Sequence, residues 1–300
     1  MNVWQTTRFR IDLTSPRVMG IVNVTPDSFW DGGSHAGTGA ALAHCERLVK
    51  EGADILDIGG ESSRPGAVSL SAADELARVL PVLRVALTLG VPISVDSCKP
   101  QVMHAALDLG VDIVNDILAL QAPGALELIA GHAACGVCLM HMRCNPQTMQ
   151  DAPDYGDVVS EVGAFLSGRA AAVLEQGVEA QRIVLDPGIG FGKRAEHNLA
   201  LLARQPELLT LGHPLLLGWS RKSTLGVLTG RAVADRLAAS LAAALAAVQQ
   251  GASILRVHDV AHTVDALRVW RAAGLGGRAA RPALHNPGPS SPASNHPEPI

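Results

Sequence analysis

Short apolar runs alternate with longer stretches of helical period along almost the whole chain, and this alternation restricts the folds open to it. Eight runs have the β-branched and apolar composition of buried strands and end in turn residues. They are VMGIVNV (18–24), DILDIG (54–59), PISVDS (92–97), DIVNDI (112–117), GVCLMH (136–141), RIVLDPG (182–188), PLLLGWS (214–220) and ILRVHD (254–259). Helical periodicity lies between them, for example at 39–52, 72–90, 100–110, 155–177 and 264–274. Strands that are apolar on both faces, each followed by a helix, indicate a parallel sheet covered by helices. Because eight such repeats follow one another with no break in composition, the pattern predicts an α/β protein, a single-domain (β/α)8 TIM barrel rather than a doubly wound sheet.

The two ends of the chain fall outside this repeat. Residues 1–16 precede the first apolar run, and we expect them to form a small lid or hairpin at the bottom of the barrel. The barrel itself is assigned to residues 17–274. Residues 275–300 are rich in Pro, Ser, Gly and Asn, a composition that cannot bury a core, so we expect a disordered tail.

Charge and hydropathy exclude several classes of partner. The formal net charge is −4 and no run of Lys or Arg is present, so the chain lacks the basic surface that nucleic acids and anionic membranes attract. The apolar stretch 237–248 is shorter than the roughly 20 residues of a membrane span. The N-terminus has no signal-peptide pattern, so we expect a cytoplasmic protein that binds small molecules.

The five cysteines do not indicate a disulfide framework or a metal site. Their number is odd and they are scattered through apolar segments, which is typical of reduced cytosolic thiols. Cys135 and Cys138 form a C-x-x-C pair, but this pair opens a predicted strand, whereas redox pairs lie at helix N-termini. A zinc site would need a second pair. We therefore interpret both residues as packing residues.

Polar residues occur where the predicted strands end, which is the active-site end of such barrels. The set is Asn23, Asp57, Asp96, Asn115, Asp116, His141, Asp186, Ser220 to Lys222, Arg256 and His258. Each residue alone has an ordinary explanation as a helix cap or turn former. Together they indicate a pocket, because the ends of all strands converge on one mouth.

Two kinds of recognition are combined in this set. Asp96, Asn115 and Asp186 suit a flat heterocycle that carries several N–H groups. Asn23, Arg256, His258 and the start of the helix after GWSRKS (218–223) suit a phosphate group. The segment DPGIGFGK (186–193) is not a P-loop, because it lacks the spacing of that motif. A phosphorylated heterocycle satisfies both halves of the pocket.

Eight motifs in order give the chain a close resemblance to the dihydropteroate synthase family, the folate-pathway target of sulfonamides. They are MGIVNVTPDSFWDGG (19–33), DILDIGGESSRPGA (54–67), ISVDSCKP (93–100), VNDI (114–117), LMHMRCNPQTMQ (139–150), DPGIGFGK (186–193), GWSRKSTLG (218–226) and RVHDV (256–260). The resemblance implies that p-aminobenzoate condenses with 6-hydroxymethyl-7,8-dihydropterin pyrophosphate. The products would be 7,8-dihydropteroate and pyrophosphate, with Mg²⁺ on the leaving group and a homodimer as the usual assembly.

The resemblance also assigns residues to the parts of the site. The implied pterin pocket comprises Asp96, Asn115, Met140, Asp186, Phe191 and Lys222. The implied pyrophosphate site comprises Asn23, Arg64, Arg256 and His258, with Asn23 as a ligand of Mg²⁺. The implied p-aminobenzoate side comprises Phe29, Ser63, Arg64, Pro65, Lys222 and Ser223. Asp31, Lys222, Arg256 and His258 are the implied catalytic residues.

The chemistry fits leaving-group stabilisation better than base catalysis. An arylamine is already neutral near pH 7, whereas departing pyrophosphate needs its charge spread over a metal ion, Arg256, His258 and helix N–H groups. We expect an SN1-like step in which a pterin cation forms first and Asp31 or Asp27 stabilises it. The segment TPDSFWDGG (25–33) would then close over the cation and exclude water.

Two departures from the family pattern and three other functions remain to be weighed. Ser63 stands where Thr is usual and Trp30 where a small residue is usual, so sulfonamide affinity is expected to differ from that of the family more than turnover does.

A methyltetrahydrofolate-binding methyltransferase is one alternative function, but it would not need the phosphate-type residues Lys222, Arg256 and His258. A pterin-binding paralogue without activity would bind pterin and release no product. A sugar-phosphate isomerase is least supported, because no clear Glu/His pair is present.

Overall fold

The alternation of strand and helix forms a barrel of parallel strands surrounded by helices. The computed structural model describes residues 2–24, 34–62, 69–143, 149 and 153–275, the side chains of residues 34–37 excepted. The barrel strands are β3 (Arg17–Asn23), β4 (Ile55–Gly59), β5 (Ile93–Asp96), β6 (Ile113–Asp116), β7 (Gly136–Met140), β8 (Ile183–Asp186), β9 (Leu216–Leu217) and β10 (Ile254–Val257). All eight predicted strands are therefore present, most of them within two residues of the predicted bounds.

Helices follow the strands and cover the outside of the barrel. They are α1 (Ser34–Lys50), α2 (Ala72–Ala86), α3 (Pro100–Asp108), α4 (Ala125–Gly131), α5 (Val158–Glu175), α6 (Ala195–Ala203), α7 (Gln205–Leu209), α8 (Ser223–Thr229), α9 (Leu237–Gln249) and α10 (Val260–Ala272). The main core lies between these helices and the outward side chains of the strands, such as Val18, Val22 and Leu56. None of the described helices combines the length and apolar composition that a membrane span requires.

The sheet closes on itself through a short last contact. The strand order is β8-β7-β6-β5-β4-β3-β10-β9, and every neighbouring pair is parallel. A single parallel bridge between Leu185 and Leu215 joins β8 to the segment before β9, and Leu185 N donates to Pro214 O at 3.0 Å. The predicted (β/α)8 barrel is confirmed, with its weakest seam at this bridge.

An antiparallel hairpin of β1 (Val3–Gln5) and β2 (Arg10–Asp12) covers the lower end of the barrel. Trp4 is fully buried there, and its indole N–H donates to Arg182 O at 2.9 Å. The Arg8 guanidinium pairs with the buried Asp112 carboxylate at 2.6 Å. The hairpin therefore covers the end of the barrel opposite the C-termini of the strands. Residues 276–300 of the expected tail lie outside the described residues.

The described cysteines behave as packing residues. Cys45, Cys98, Cys135 and Cys138 are free thiols, and Cys135 and Cys138 are fully buried. Burial raises the pKa of the Cys135 thiol to about 12, so it is not a reactive thiolate. The interpretation of the C-x-x-C pair as a packing pair is confirmed.

Candidate active site

The inward side chains of the barrel form two layers with different chemistry. The lower layer is an apolar cluster with one residue from each of seven strands, namely Met19, Ile55, Ile113, Cys138, Val184, Leu216 and Ile254. Side chains in a strand return to the same face every two residues. Two positions further along stand Asp57, Asn115, Met140, Asp186 and Arg256, so the upper layer is mostly polar. The inside of the barrel therefore has a layer of polar side chains directly above a layer of apolar side chains.

Arg256 is the centre of the polar layer. Its Nε donates to Asp57 Oδ2 and its Nη2 to Asp96 Oδ2, both at 2.6 Å. The Arg256 side chain is 20% exposed, Asp96 is 14% exposed and Asp57 is fully buried. One guanidinium therefore neutralises two carboxylates that would be costly to bury alone.

Asp57 also belongs to the site, although the sequence predicts no specific role for it. Besides Arg256, its Oδ2 accepts a hydrogen bond from Asn115 Nδ2 at 3.1 Å. Its Oδ1 is buried without a partner among the described residues. Its place two residues after the inward-facing Ile55 indicates that its side chain also points into the barrel. Asp57 thus orients both Arg256 and Asn115.

The carboxylates of this layer lie in an environment that disfavours their charge. Burial raises the pKa of Asp96 to about 7, although Arg256 opposes the shift. Burial also raises the pKa of Asp186. Groups whose pKa is perturbed by burial and by a specific charge partner in one cleft are typical of functional sites.

Asp186 and Lys222 are close enough for their charges to influence each other. Asp186 Oδ1 accepts a hydrogen bond from Gly188 N at 2.7 Å. The Lys222 amine lies over the Phe191 ring, 4.1 Å from its centroid. Burial and the charge of Arg256 lower the pKa of Lys222 to about 8. A lysine held on an aromatic face beside carboxylates fits the edge of a flat polar ligand.

An apolar wall stands beside these polar groups. Met140, Met142 and Met149 form a buried cluster, against which Phe191, Ile117 and Leu118 pack. Methionine and phenylalanine side chains present the polarizable surface that a flat ring needs on its faces. The wall and the polar edge together form a slot for a heterocycle.

His258 directly follows β10, and Asn23 ends the neighbouring strand β3. Ser220 Oγ accepts a hydrogen bond from His258 N at 3.2 Å and lies 3.0 Å from His258 Nδ1. With the hydroxyl proton donated to Nδ1, the ring carries its own proton on Nε2. Burial and Arg256 lower the pKa of His258 to about 3, so the ring is neutral. Both residues line a cavity of about 330 Å³, which His44 and Arg47 of α1 and the following Glu51 also line.

The donor set fits a magnesium ion that a substrate helps to hold. The described residues contain no group of three or more His, Cys, Asp or Glu side chains that could bind a metal. Mg²⁺ in enzymes commonly keeps several water ligands and is held by one or two protein oxygens and substrate phosphates. The amide oxygen of Asn23, half-buried at the end of β3, is a suitable protein ligand of this kind.

The segment that carries Lys222 is fixed by its neighbours. Arg221 has a left-handed backbone with φ of 60°, which is uncommon outside glycine. Its guanidinium forms two hydrogen bonds with Asp259, at 2.6 and 3.0 Å, and its N–H donates to Ser240 Oγ at 3.0 Å. These contacts hold the turn that aims Lys222 inward and places Ser223 as the first residue of α8.

Most of the predicted site residues lie together at the C-terminal ends of the strands, and two others, Asp116 and His141, are engaged elsewhere. Asp96, Asn115, Met140, Asp186, Phe191, Lys222 and Arg256 belong to the polar layer and slot described above, while Asn23 and His258 line the cavity beside α1, with His258 within reach of the Arg256 charge. Asp116 does not face the mouth, because its carboxylate accepts hydrogen bonds from Leu118 N and Leu120 N. The ring of His141 contacts Lys193 instead, with Nδ1 2.9 Å from the amine. Asp27, Phe29, Asp31, Ser63, Arg64 and Pro65 lie outside the described residues.

Comparisons with known proteins agree with this geometry. A family model described as pterin binding enzyme matches residues 19–258. The dihydropteroate synthase of Neisseria meningitidis serogroup B is 55% identical over 280 residues, which is 91% of this chain and 98% of that protein.

Solved structures extend the similarity to the whole barrel. The dihydropteroate synthase of Burkholderia cenocepacia, complexed with 7,8-dihydropteroate, superposes with a TM-score of 0.83 at 47% identity and covers 91% of this chain and 96% of that one. The Yersinia pestis enzyme in a sulfonamide drug complex gives a TM-score of 0.85 at 43% identity and covers 91% and 99%. The chain therefore belongs to the pterin binding enzyme family and, within it, to the dihydropteroate synthases.

Proposed function

We propose that this protein is a transferase that joins 6-hydroxymethyl-7,8-dihydropterin pyrophosphate to p-aminobenzoate, giving 7,8-dihydropteroate and pyrophosphate for folate biosynthesis. The observation that carries the proposal is the position of Arg256. Arg256 pairs with Asp57 and Asp96 in the carboxylate layer, and its charge also acts on His258, which lines a cavity together with Asn23. One cation thus joins a heterocycle slot to an anion site.

The slot supports recognition of the pterin ring by its edge and by its faces. Asp96, Asn115 and Asp186 offer oxygen acceptors to the ring N–H groups. Met140 and Phe191 supply the apolar surface, and Lys222 stands over Phe191. The 7,8-dihydropteroate bound by the Burkholderia cenocepacia relative contains the same dihydropterin ring.

The other end of the mouth supports binding of the leaving pyrophosphate. The Arg256 guanidinium and the His258 Nε2–H donate to phosphate oxygens. Mg²⁺, which we assign to Asn23 and the substrate, would neutralise charge on the pyrophosphate. Arg64 is proposed as a further cation on the same group, from its motif position.

We assign an SN1-like order to the bond changes. The bond between the exocyclic carbon and the pyrophosphate oxygen breaks first, and both electrons leave with pyrophosphate. The dihydropterin ring delocalises the positive charge, for which Asp31 or Asp27 is proposed as counter-ion. The p-aminobenzoate nitrogen then forms the new C–N bond and loses one proton to water. We place p-aminobenzoate against Phe29, Ser63, Arg64, Pro65, Lys222 and Ser223.

Pyrophosphate release by the purified protein tests this function. Release is expected only when dihydropterin pyrophosphate, p-aminobenzoate and Mg²⁺ are all present. Lys222→Ala should abolish it, while Lys50→Ala, at an exposed position in the last turn of α1, should leave it unchanged. Pterin binding without release would instead support a silent paralogue or another pterin enzyme.

Pterin affinity should depend on pH through Asp96. The pKa of this carboxyl is raised to about 7 by burial, so protonation below that pH removes the negative acceptor. With one competing proton, the Kd for the dihydropterin is expected to be about tenfold weaker near pH 6 than near pH 8. Isothermal titration calorimetry of the wild type and Asp96→Asn checks this. The variant should show a nearly flat profile, and equal slopes in both proteins would contradict the assignment.

We also propose that the protein is a homodimer that pairs through the surface of α8 and the turn after it. Val227, Leu228 and Val233 are 72%, 55% and 54% exposed, and this apolar patch of three side chains lies within a stretch of seven residues of the chain. A second copy of the chain would cover it, because self-complementary patches generate closed dimers.

A charge placed in this patch should split the dimer. Val227→Asp is expected to shift the mass in light scattering from twice 31.2 kDa to the monomer value at micromolar concentration. Val269→Asp is the matched control, since Val269 is 71% exposed on α10, apart from the patch. A monomeric wild type, or a dimeric Val227→Asp, would contradict this interface.

Two further properties are proposed from the same relatives and residues. Sulfonamides should compete with p-aminobenzoate, as the Yersinia pestis complex suggests. The cytoplasm is the proposed compartment, in keeping with the buried free thiols.

A further inference from the structure

Lys193 ends the DPGIGFGK segment, and none of the roles assigned above uses it. The residue is only 3% exposed. Its amine lies 2.9 Å from His141 Nδ1, 3.0 Å from both Gly188 O and Phe191 O, and 3.3 Å from His141 O. Burial lowers the pKa of this amine to about 7, and each of its protons, two when neutral and three when charged, has an acceptor among these groups. A buried amine so completely engaged is a fixed part of the structure.

The four acceptors belong to two different segments at the barrel mouth. His141 directly follows β7, whereas Gly188 and Phe191 lie in the loop 187–192 that follows β8. The amine of Lys193 therefore joins the end of one strand to the loop of the next. His141 accepts as a neutral ring, because burial and Lys193 lower its pKa to about 3.

The loop approaches the β7 end too closely for ordinary side chains. Gly188 has φ of 69°, and a Cβ there would overlap His141 O. Gly192 has φ of 62°, and a Cβ there would lie 2.8 Å from Arg143 O. These glycines bring carbonyl groups together around one point, which the Lys193 amine occupies. Without a donor at this point, buried carbonyls would be left unpaired.

The same loop carries the groups that form the slot. Phe191 lies under the Lys222 amine at 4.1 Å, and a Cβ at Gly190 would meet the Lys222 chain at 3.1 Å. Gly188 N donates to Asp186 Oδ1 at 2.7 Å. A small outward shift of the loop would therefore move Phe191, Lys222 and the Asp186 acceptor together.

We propose that Lys193 is a positioning residue for the pterin: its amine holds loop 187–192 against the end of β7 and so fixes Phe191 and Lys222 in the geometry that binds the dihydropterin ring. This role rests on the proposed function. It acts directly on the pterin slot, and on p-aminobenzoate only through Lys222, which is proposed to contact both substrates. It is also separate from the leaving-group contacts of Arg256 and His258.

The test uses Lys193→Met, which keeps the chain length and removes the donors. The dihydropterin without pyrophosphate is the probe, titrated by calorimetry, and its Kd is expected to weaken about tenfold. The KM for dihydropterin pyrophosphate should rise by the same factor, and by more than the KM for p-aminobenzoate. Lys50→Met is the matched control and should bind as the wild type does.

A second variant covers the case in which Lys193→Met fails to fold. His141→Phe removes one acceptor and retains a ring at the edge-on contact with Phe165, whose centroid lies 4.9 Å away. Its Kd for the dihydropterin should weaken about threefold, less than in Lys193→Met.

The possible results distinguish the positioning role of Lys193 from the proposed function. Graded losses of pterin affinity support the positioning role. Unchanged affinity in the variants that fold, including a lowered melting temperature with unchanged affinity, would overturn it and leave the proposed function intact. A wild-type protein that does not bind the dihydropterin would overturn both.

Discussion

Replacing Arg256 with Met is expected to lower kcat/KM by about a thousandfold, which corresponds to about 4 kcal/mol. The guanidinium is the cation placed to meet the departing pyrophosphate, and charge stabilisation of this kind is commonly the largest contribution to catalysis. The variant also leaves Asp57 and Asp96 without their shared partner. We therefore expect a loss of about 3 kcal/mol in the free energy of unfolding as well.

A double substitution separates the catalytic loss from the loss of stability. Arg256→Met combined with Asp57→Asn removes the fully buried charge, so it should recover part of the stability in urea denaturation and none of the activity. Arg268→Met is the control, since this arginine is exposed on α10 and pairs with Asp265. Activity of Arg256→Met within tenfold of the wild type would contradict the role given to this residue.

Asp186→Asn is expected to weaken dihydropterin binding about 100-fold, or about 2.7 kcal/mol. The amide oxygen of Asn can keep the hydrogen bond with Gly188 N, so the loop retains its anchor. The amide N–H₂ then meets the N–H edge of the ligand, where two donors cannot pair and the negative charge is lost. Calorimetry with the dihydropterin measures the effect directly.

The matched control for this substitution is Asp265→Asn, an exposed carboxylate that makes one surface ion pair. It should bind the dihydropterin with unchanged affinity. The melting temperature of Asp186→Asn should stay close to that of the wild type, because burial already disfavours the charged form of Asp186. Binding within threefold of the wild type would show that Asp186 does not contact the ring.

The barrel was predictable because its signal is local and repeated. Each strand is a short apolar run, and each is bounded by turn residues that can be read without knowing the partner strand. The two-residue period also predicts which polar residues share a face, as Ile254, Arg256 and His258 do. The closure of the sheet was less visible, because β9 has only two residues and a single bridge joins it to β8.

The contacts inside the site could not be derived in this way. Asp57 and Arg256 are 199 residues apart in the chain, and nothing near either residue indicates that they pair. Lys193 could be excluded as a P-loop lysine from the spacing of the motif, but its engagement by His141 depends on how two loops pack. Asp116 has the same sequence context as Asn115 and faces the opposite way, toward Leu118 and Leu120.

The most direct test of the account is the ratio of products formed from isotopically labelled p-aminobenzoate. With dihydropterin pyrophosphate and Mg²⁺, mass spectrometry should find one labelled dihydropteroate for each pyrophosphate released by the wild type, and neither product with Lys222→Ala. Pyrophosphate released without labelled dihydropteroate, or bound pterin with no product at all, would contradict the proposed transfer.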